Sequence, residues 1–294
     1  MLLITGGTGF VGRNLVAELA GRGKKLRLLV RPASRLAALS GLDIETAVGD
    51  VTQPQSLPQA LAGVEAVIHL AAIIRERRGA TFHQVNYLGT RELVAAARAA
   101  GVRRFLYMSN VGARPDPAFP FLRSKWLAEE EVKASGLACT IFRASVIFGQ
   151  GDEFITTLAR LIGRLPLVPV IGSGHTRFQP VWVRDVAACI AAALDDPASV
   201  DQTIPLGGPE HLSYEQILDT IMQVLWLRRA KMHIAAGLMR PVVWLMERLL
   251  SHPPLTSAQL AMLKMDNITE LDAISSRFGF EPTPLREGIG YLAR

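Results

Sequence analysis

Apolar residues recur along the first half of the chain with two alternating spacings. Short β-branched or leucine-rich runs predict strands at LLIT, KLRLLV, IETAVGD, AVIHLAA, RRFLYMS and ACTIFRA. Longer segments with apolar side chains every three or four positions predict helices at NLVAELAGRG, SLPQALAG, HQVNYLGTRELVAAARAAG and RSKWLAEEEVKASG. Because continuously apolar strands joined by helical crossovers are typical of a parallel sheet covered on both faces, we expect a doubly wound α/β fold.

The pattern changes after about residue 150. A region rich in Pro and Gly leads into VWVRDVAACIAAALDD, which begins like a strand and continues as a helix, and the rest of the chain has mostly helical spacing. We therefore expect residues 1–150 to form the first domain, with residues 180–200 returning to it. Residues 151–179 and 201–294 are expected to form a smaller, mainly helical lobe for a substrate or partner.

The size and cysteine content of the chain are those expected of a globular protein with reduced thiols. The chain has 294 residues, of which 49% are hydrophobic, so it can bury a large core. Cys139 and Cys189 both lie inside apolar runs, which predicts buried thiols with no redox or metal role, in a reducing compartment.

Neither export nor a membrane span is expected. The first residues lack the basic segment and long apolar run of a secretory signal, which favours a cytoplasmic protein. The most apolar later stretch, residues 232–246, carries Arg240 and Pro241 and is shorter than the roughly 20 apolar residues that a spanning helix needs.

The formal net charge of +6 is concentrated in the first half of the chain. Residues 1–150 hold 19 Lys and Arg against 11 Asp and Glu, whereas the remainder holds 13 against 15. Phosphate is therefore expected to bind in the first half. No stripe of basic residues alternates with aromatic ones, so the sequence does not predict a nucleic-acid partner.

A glycine-rich segment, ITGGTGFVGRNLVAEL, follows the first predicted strand and opens the first helix. Its glycines at 6, 9 and 12 lack a Cβ, so the backbone can turn tightly and approach a pyrophosphate. The N–H groups at the start of the helix point toward the same anion. This context predicts a phosphate-binding loop of a dinucleotide site.

With this loop the chain resembles the extended or atypical branch of the short-chain dehydrogenase/reductase superfamily, whose signature is TGxxGxxG. The resemblance implies a Rossmann-type doubly wound sheet and a bound nicotinamide dinucleotide, and it extends more loosely over the second half of the chain. The matching residues are Thr5, Gly6, Gly7, Thr8, Gly9, Phe10, Val11 and Gly12.

Three further segments carry the resemblance. GDVT at 49–52 resembles the segment after the third strand, where an aspartate meets the adenine amino group and the next residue lies against the ring. HLAA at 69–72 resembles the segment that lines the ribose and nicotinamide, and VNYLGT carries the asparagine of the fourth helix. The cofactor contacts implied by the resemblance are Asp50, Val51, Leu70, Ala71, Ala72 and Asn86.

Each of these assignments has an alternative when taken singly. Asp50 could be a turn residue, and Asn86 could be a polar group that bends a helix. His69 is favoured to be a core histidine.

The end of the second strand favours NADP(H) over NAD(H). An enzyme that prefers NAD usually carries an acid there, whereas this strand ends with Val30 and Arg31. Arg31, with Arg13 and Arg35 nearby in sequence, can instead hold a 2′-phosphate through charge-assisted hydrogen bonds. The alternative is that Arg31 is an ordinary solvated arginine beside a loosely bound NAD.

The catalytic set that the resemblance implies is incomplete. In the superfamily a Ser or Thr ends the fifth strand, and a Tyr-x-x-x-Lys pair on the next helix transfers the proton and holds the ribose. This chain has Ser109 and Lys125 at the matching positions, with Phe121 in place of the tyrosine. Since a phenyl ring has no ionisable proton, cofactor binding is expected to survive where catalysis is impaired. Tyr87 and Tyr107 are the alternative proton donors.

The later segments IFRASVIFGQGDEF, FQPVWVRDVA, IPLGGPEHLSYEQIL and PPLTSAQLAMLKMDNI resemble bacterial relatives of the nucleotide-binding accessory subunit of mitochondrial complex I. This resemblance implies bound NADPH with a structural, sensing or assembly role, in association with a membrane or respiratory complex. The other class is an NADP-dependent oxidoreductase or isomerase acting on a hydrophobic small molecule. Arg143-Ala144 replaces the family's usual Arg-Pro, so the loop after the sixth strand is expected to differ.

Residues 226–250 combine Trp226 and Trp244 with basic residues and apolar runs of helical length. This combination suits a helix at a membrane surface or over a lipophilic ligand, although an amphipathic helix packed on its own lobe is favoured. Pro241 is expected to break the segment into two short helices. The sequence thus predicts weak, salt-sensitive association with anionic membranes at most.

Overall fold

The computed structural model describes residues 1–34, 36–77, 79–250 and 255–293. The strands in these ranges are β1 (Leu2–Thr5), β2 (Leu26–Val30), β3 (Ile44–Val48), β4 (Ala66–His69), β5 (Arg104–Asn110), β6 (Ala138–Ala144), β7 (Ile147–Phe148), β8 (Leu167–Ile171), β9 (Arg177–Phe178), β10 (Val181–Trp182), β11 (Gln202–Leu206), β12 (Leu212–Ser213) and β13 (Ala230–Ile234). The α-helices are α1 (Phe10–Gly21), α2 (Leu57–Leu61), α3 (Gly89–Ala99), α4 (Pro120–Lys133), α5 (Phe154–Arg164), α6 (Val183–Asp195), α7 (Tyr214–Val224), α8 (Ala236–Leu249), α9 (Ser257–Met262), α10 (Ala273–Phe278) and α11 (Leu285–Gly288).

The chain folds into two compact units. The first unit comprises Met1–Ala144 and Val183–Pro205, and the second comprises Ser145–Trp182 together with the chain from Leu206 onward. The segment that returns to the first unit carries α6 and most of β11. The sequence analysis placed residues 201–205 in the second lobe and did not predict β11.

A sheet of seven strands forms the centre of the first unit, in the order β11-β6-β5-β4-β1-β2-β3. The six strands that the apolar runs predict all form, and their neighbouring pairs are parallel. The expected Rossmann-type fold is therefore confirmed. Chain connections leave β1 and β4 in opposite directions, which opens a crevice at the carboxyl ends of these two adjacent strands.

The core of the first unit explains why the central strands are almost entirely apolar. Leu3 of β1, Val67 of β4 and Phe105 of β5 are completely buried, because helices cover both faces of a parallel sheet. Each such side chain contributes roughly 1.5–3 kcal/mol when it is removed from water. The edge strand β3 is more polar, and Glu45 and Thr46 are exposed on it.

The second unit is mainly helical, as expected, and contains the two-stranded pairings β7–β10, β9–β12 and β8–β13. Its core is formed by Ile155 and Ile162 of α5 and by Ile217 and Ile221 of α7, all fully buried. The side chain of Gln179, also fully buried, donates to the carbonyls of Gly208 (2.7 Å) and Glu270 (3.1 Å) and so connects distant loops within this unit.

Helix α8 corrects one expectation about residues 226–250. Pro241 lies inside a single helix of 14 residues and does not divide it. Proline removes one backbone donor, which would have bonded the carbonyl of Gly237 one turn earlier. Because Gly237 is exposed at the start of the helix, water can satisfy that carbonyl and the remaining hydrogen bonds keep the helix continuous.

The prediction that this segment packs on its own lobe is also only partly right. Among the described side chains of α8, Val243 is buried, whereas Leu238, Leu245 and Leu249 are each at least half exposed. Across the described part of the chain, we find no helix with the length and apolar character to span a membrane.

The two cysteines are free and buried, as the sequence predicts. Burial raises the pKa of the Cys139 thiol to about 11 and raises that of Cys189 further, so both are protonated near neutral pH.

Candidate dinucleotide-binding site

The glycine loop packs directly against the end of β4. Gly6 has a φ of +70°, and a Cβ added to it would lie 2.7 Å from the backbone nitrogen of Ala71. The backbone N–H of Gly9 donates to the carbonyl of Gly6 at 3.0 Å, which closes the turn. A Cβ on Gly12 would lie only 2.1 Å from the same carbonyl oxygen. The loop therefore requires glycine at these positions for steric reasons.

The first turn of α1 presents backbone donors at the carboxyl ends of β1 and β4. Gly9 precedes the helix, and no side chain in the described part of the chain caps this end. The first backbone bond into the helix is donated by Arg13 to the carbonyl of Gly9, so the preceding N–H groups are left for an anion. These donors fit a pyrophosphate.

A cavity of about 710 Å³ adjoins this loop. It lies at the ends of β1, β2, β3 and β4 and brings together most of the predicted cofactor residues. The predicted residues that line it are Thr5, Gly6, Thr8, Gly9, Arg31, Asp50, Val51, Leu70, Ala71 and Ala72. The predicted residues outside its lining are Gly7, Phe10, Val11, Gly12, Arg13, Asn86, Ser109 and Lys125. Arg35 lies outside the described residues.

Asp50 and Val51 form one wall of the cavity. One oxygen of the Asp50 carboxylate accepts from the backbone N–H of Thr52 at 2.9 Å and from its hydroxyl at 2.8 Å. Asp50 is thus a turn residue that also lines the cavity. Val51 is buried against α3, where a Cβ on Gly89 would lie 2.8 Å from its Cγ2.

The sequence analysis missed the wall of the cavity that precedes and begins α3. Its residues are Gln84, Val85, Leu88, Gly89, Arg91 and Glu92. The signal that could have indicated this wall is Gly89, since an isolated glycine inside a helical pattern often marks close packing. Ser34, also missed, lines the cavity and accepts from the backbone N–H of Arg31 at 3.0 Å.

His69 is a core residue beneath the loop. Its Nδ1 lies 2.6 Å from the hydroxyl of Thr5, and its Nε2 lies 2.8 Å from the hydroxyl of Thr90. Because Thr90 donates its own proton to the carbonyl of Asn86, Nε2 must donate to Thr90 and Nδ1 accepts from Thr5. Burial lowers the pKa of His69 to about 3, so the ring is neutral at physiological pH.

Asn86 connects the loop after β4 to α4. It lies in a π-helical turn (His83–Leu88) before α3. Its Oδ1 accepts from the backbone N–H of Ile73 at 2.8 Å, and its Nδ2 donates to the carbonyl of Ile73 and to the hydroxyl of Ser124. Asn86 therefore holds the segment that follows Ala72 in the cavity wall.

Lys125 and Phe121 both point into the first unit. Lys125 is 3% exposed, and its ammonium donates to the carbonyl of Met108 at 2.5 Å and lies 4.4 Å from the centre of the Tyr107 ring. Burial lowers the pKa of Lys125 to about 7. The Phe121 ring is 7% exposed and lies edge-on to Phe82, with ring centres 5.5 Å apart.

The hydroxyl of Ser109 contacts an ion pair whose acid is buried. It donates to the carboxylate of Glu129, which is fully buried on α4. The same carboxylate accepts from Nε (3.0 Å) and Nη2 (2.6 Å) of Arg143 on β6. The sequence analysis missed Glu129, although it lies one turn after Lys125 on the same side of the helix. A catalytic role for Ser109 stays a prediction.

Neither alternative tyrosine is placed as a proton donor. Tyr107 is 1% exposed within the core, and burial raises the pKa of its hydroxyl well above the ordinary value. The hydroxyl of Tyr87 donates to the carboxylate of Glu131 at 3.1 Å.

The fold and the glycine loop define a Rossmann-type protein built to hold a dinucleotide. The model of the NAD dependent epimerase/dehydratase family matches residues 2–207. The chain therefore belongs to this family, and a nicotinamide dinucleotide is its cofactor class.

Individual relatives differ in what their names describe. The chain is 36% identical to ceramide reductase of Caulobacter vibrioides over 67% of this chain and 62% of that protein, less than two thirds of its length. It is 30% identical to the mitochondrial NADH dehydrogenase [ubiquinone] 1 alpha subcomplex subunit 9 of Arabidopsis thaliana, over 93% of this chain and 70% of that one. A solved structure described as gox2253 superimposes with a TM-score of 0.79 at 29% identity, covering 99% of this chain and 96% of that one.

The loop contacts predict an order of effects for three glycine-to-alanine substitutions. Gly12→Ala should weaken dinucleotide binding at least about tenfold, because the new Cβ forces the loop away from its position. Gly9→Ala should have a smaller effect, since its Cβ would lie 3.2 Å from the carbonyl oxygen of Gly6. Gly21→Ala, with nothing within 4 Å, is the control. Fluorescence titration with NADPH and thermal unfolding measure the series, and equal affinities would place the dinucleotide elsewhere.

This ion pair predicts a difference between two neighbouring glutamates. Glu129→Gln should lower the free energy of unfolding by roughly 1.5–3 kcal/mol, because the buried side chain loses its charge-assisted hydrogen bonds with Ser109 and Arg143. Glu130→Gln, which removes an exposed pair with Lys133, should change it by less than about 0.5 kcal/mol. Urea unfolding at neutral pH measures both variants. Similar values for the two would mean that the pair of Glu129 with Arg143 does not stabilise the fold.

Proposed function

We propose that this chain binds NADPH in preference to NADH and holds it with little carbonyl turnover, in a structural, sensing or assembly role. The observation that carries the proposal is the position of Phe121, one helical turn before Lys125. The site keeps the glycine loop and the lysine, but it has a phenyl ring where the family resemblance implies a phenol. Dinucleotide binding needs the first two features, whereas efficient proton transfer needs the third.

Support for NADPH comes from the end of β2. Arg31 lies exposed at the cavity and follows the last residue of the strand, where an acid would face the ribose of NAD. Ser34 lines the cavity beside it, so a guanidinium and a hydroxyl are available to a 2′-phosphate. Asp50 also lines the cavity, but one of its oxygens already accepts two hydrogen bonds from Thr52.

Support for low turnover comes from the side chains of the first unit that could supply a proton. A bound nicotinamide would supply the hydride for a reduction, and a protein group would have to supply the proton. Lys125 donates to Met108, Ser109 donates to Glu129, and the Tyr107 hydroxyl is buried with a raised pKa. Loss of a positioned acid is typically worth about 10²- to 10⁴-fold in rate.

A second candidate is an NADP-dependent oxidoreductase or isomerase that acts on a hydrophobic carbonyl or quinone-like compound. The similarity to a ceramide reductase favours it. The similarity to a complex I subunit favours the non-catalytic role and association with a larger assembly. Steady-state NADPH oxidation across quinones, long-chain ketones, aldehydes and sugar nucleotides separates the two. Rapid oxidation with any of these classes would replace the first candidate with the second.

Arg31 provides the test of cofactor preference. Wild-type protein should bind NADPH roughly tenfold or more tightly than NADH, since charge-assisted hydrogen bonds contribute about 1.5–3 kcal/mol. Arg31→Asp should reverse this order. Arg103→Asp makes the same charge change at an exposed position outside the cavity lining and should leave the ratio unchanged. Calorimetric titration of the three proteins measures the ratio of NADPH affinity to NADH affinity. Equal or tighter NADH binding by the wild type would refute the role of Arg31.

Phe121 provides the test of impaired catalysis. Phe121→Tyr should raise the rate of NADPH oxidation by about 10²-fold or more with any substrate that the wild type turns over slowly, because it restores a phenol one turn from Lys125. The double variant Phe121→Tyr/Lys125→Met should lose this gain. A high wild-type rate that Ser109→Ala does not change would show that the chemistry has been assigned to the wrong residues.

A further inference from the structure

Helix α8 exposes an apolar stripe to solvent. Leu238, Val242, Leu245 and Leu249 are spaced four, three and four residues apart, which places them on one side of an α-helix. Their exposed fractions are 69%, 46%, 50% and 73%. Val243 points about a third of a turn away from this stripe and is fully buried, and α8 contacts α9. The helix therefore packs on its unit with one apolar face and leaves a second one uncovered.

The charges beside the stripe are mainly positive. Arg248 is exposed about a quarter of a turn from the stripe, and its guanidinium lies 3.9 Å from the centre of the Trp244 ring, whereas Arg240 is exposed on the opposite side of the helix. The only acid on the helix, Glu247, accepts from the backbone N–H (2.9 Å) and the hydroxyl (2.6 Å) of Ser257. An exposed apolar stripe bordered on one side by Arg248 and the Trp244 ring is complementary to lipid chains below anionic head groups.

A second aromatic residue of the same unit is still more exposed. Trp226 is 90% exposed and has a φ of +55°, a conformation that L-residues with large side chains rarely adopt. It is followed by the exposed Arg228. Tryptophan is enriched where one end of a side chain is apolar and the other is wet, as at the head-group level of a membrane.

We propose that the α8 stripe docks on the surface of an anionic lipid bilayer, with its leucines at the boundary of the acyl chains and Arg248 at the lipid phosphates. A second copy of the chain is disfavoured, because four side chains are fewer than the roughly 20–30 residues per side of a stable protein interface. This inference does not depend on the proposed function in the first unit.

The experiment is co-sedimentation of the full chain with phosphatidylcholine vesicles, with and without phosphatidylserine, at low and high salt. Wild-type protein should bind the phosphatidylserine vesicles at low salt, and binding should weaken several-fold at high salt because the arginine attraction is screened within about 10 Å at 0.1 M. Leu245→Asp should reduce the partition coefficient at least about tenfold. Leu271→Asp is the matched control, since Leu271 is also 50% exposed but lies outside α8.

Several outcomes would overturn the proposal. These are absence of wild-type binding at low salt, equal losses in the two leucine variants, or binding that is the same for neutral vesicles and at high salt. Sedimentation of the wild type as a dimer without vesicles, abolished by Leu245→Asp, would assign the stripe to a second copy instead. Circular dichroism and thermal unfolding verify the folding of Leu245→Asp, and its NADPH titration should match the wild type, so failure of lipid binding stays distinct from failure of the cofactor site.

Discussion

The close approach of the glycine loop to the end of β4 is the constraint on which the first unit depends. Gly6 and Gly12 leave no room for a Cβ between the loop, Ala71 and the start of α1. This contact fixes the helix N-terminus beside the crevice between β1 and β4. Directly before the loop, Thr5 hydrogen-bonds His69 and so joins the same two strands below it. Steric fit and a neutral buried histidine thus hold one set of backbone donors in place.

Helix α4 shows why the presence of a lysine is not by itself evidence of catalysis. The Lys125 side chain donates to the carbonyl of Met108, and the Glu129 carboxylate accepts from Arg143. Both contacts join α4 to the sheet, and neither depends on whether residue 121 carries a hydroxyl. A charged group that is buried and paired has a structural reason to be where it is. The lysine is therefore not by itself evidence of chemistry, and the proposed low turnover depends on the phenyl ring at position 121.

The sequence predicted the parts of the fold that depend on local pattern. The central strands read as apolar runs because both faces of each are covered, and the exposed edge strand β3 still contains Ile44 and Val48. Strand β11 contains Gln202, Thr203 and Pro205, which obscure the same signal. The glycine loop and ten of the 24 described residues that line the cavity were also recognisable. The ion pair of Glu129 with Arg143 was not, because it depends on how α4 packs against β6. The direction of Ser109 could have been inferred, since strand alternation puts it on the same face as Tyr107.

Helix α8 is a case in which a strong local rule of sequence gave a wrong prediction. The rule that proline breaks helices considers one lost donor and a clash with the preceding turn, but a helix of 14 residues retains many other bonds. Continuity matters for what the helix presents, because only an unbroken helix aligns Leu238 with Leu249 on one side. Two short helices would have scattered these leucines. The same proline that appeared to divide the segment therefore lies within a helix whose apolar stripe remains continuous, and removing that stripe from water is favourable at roughly 25 cal/mol per Å².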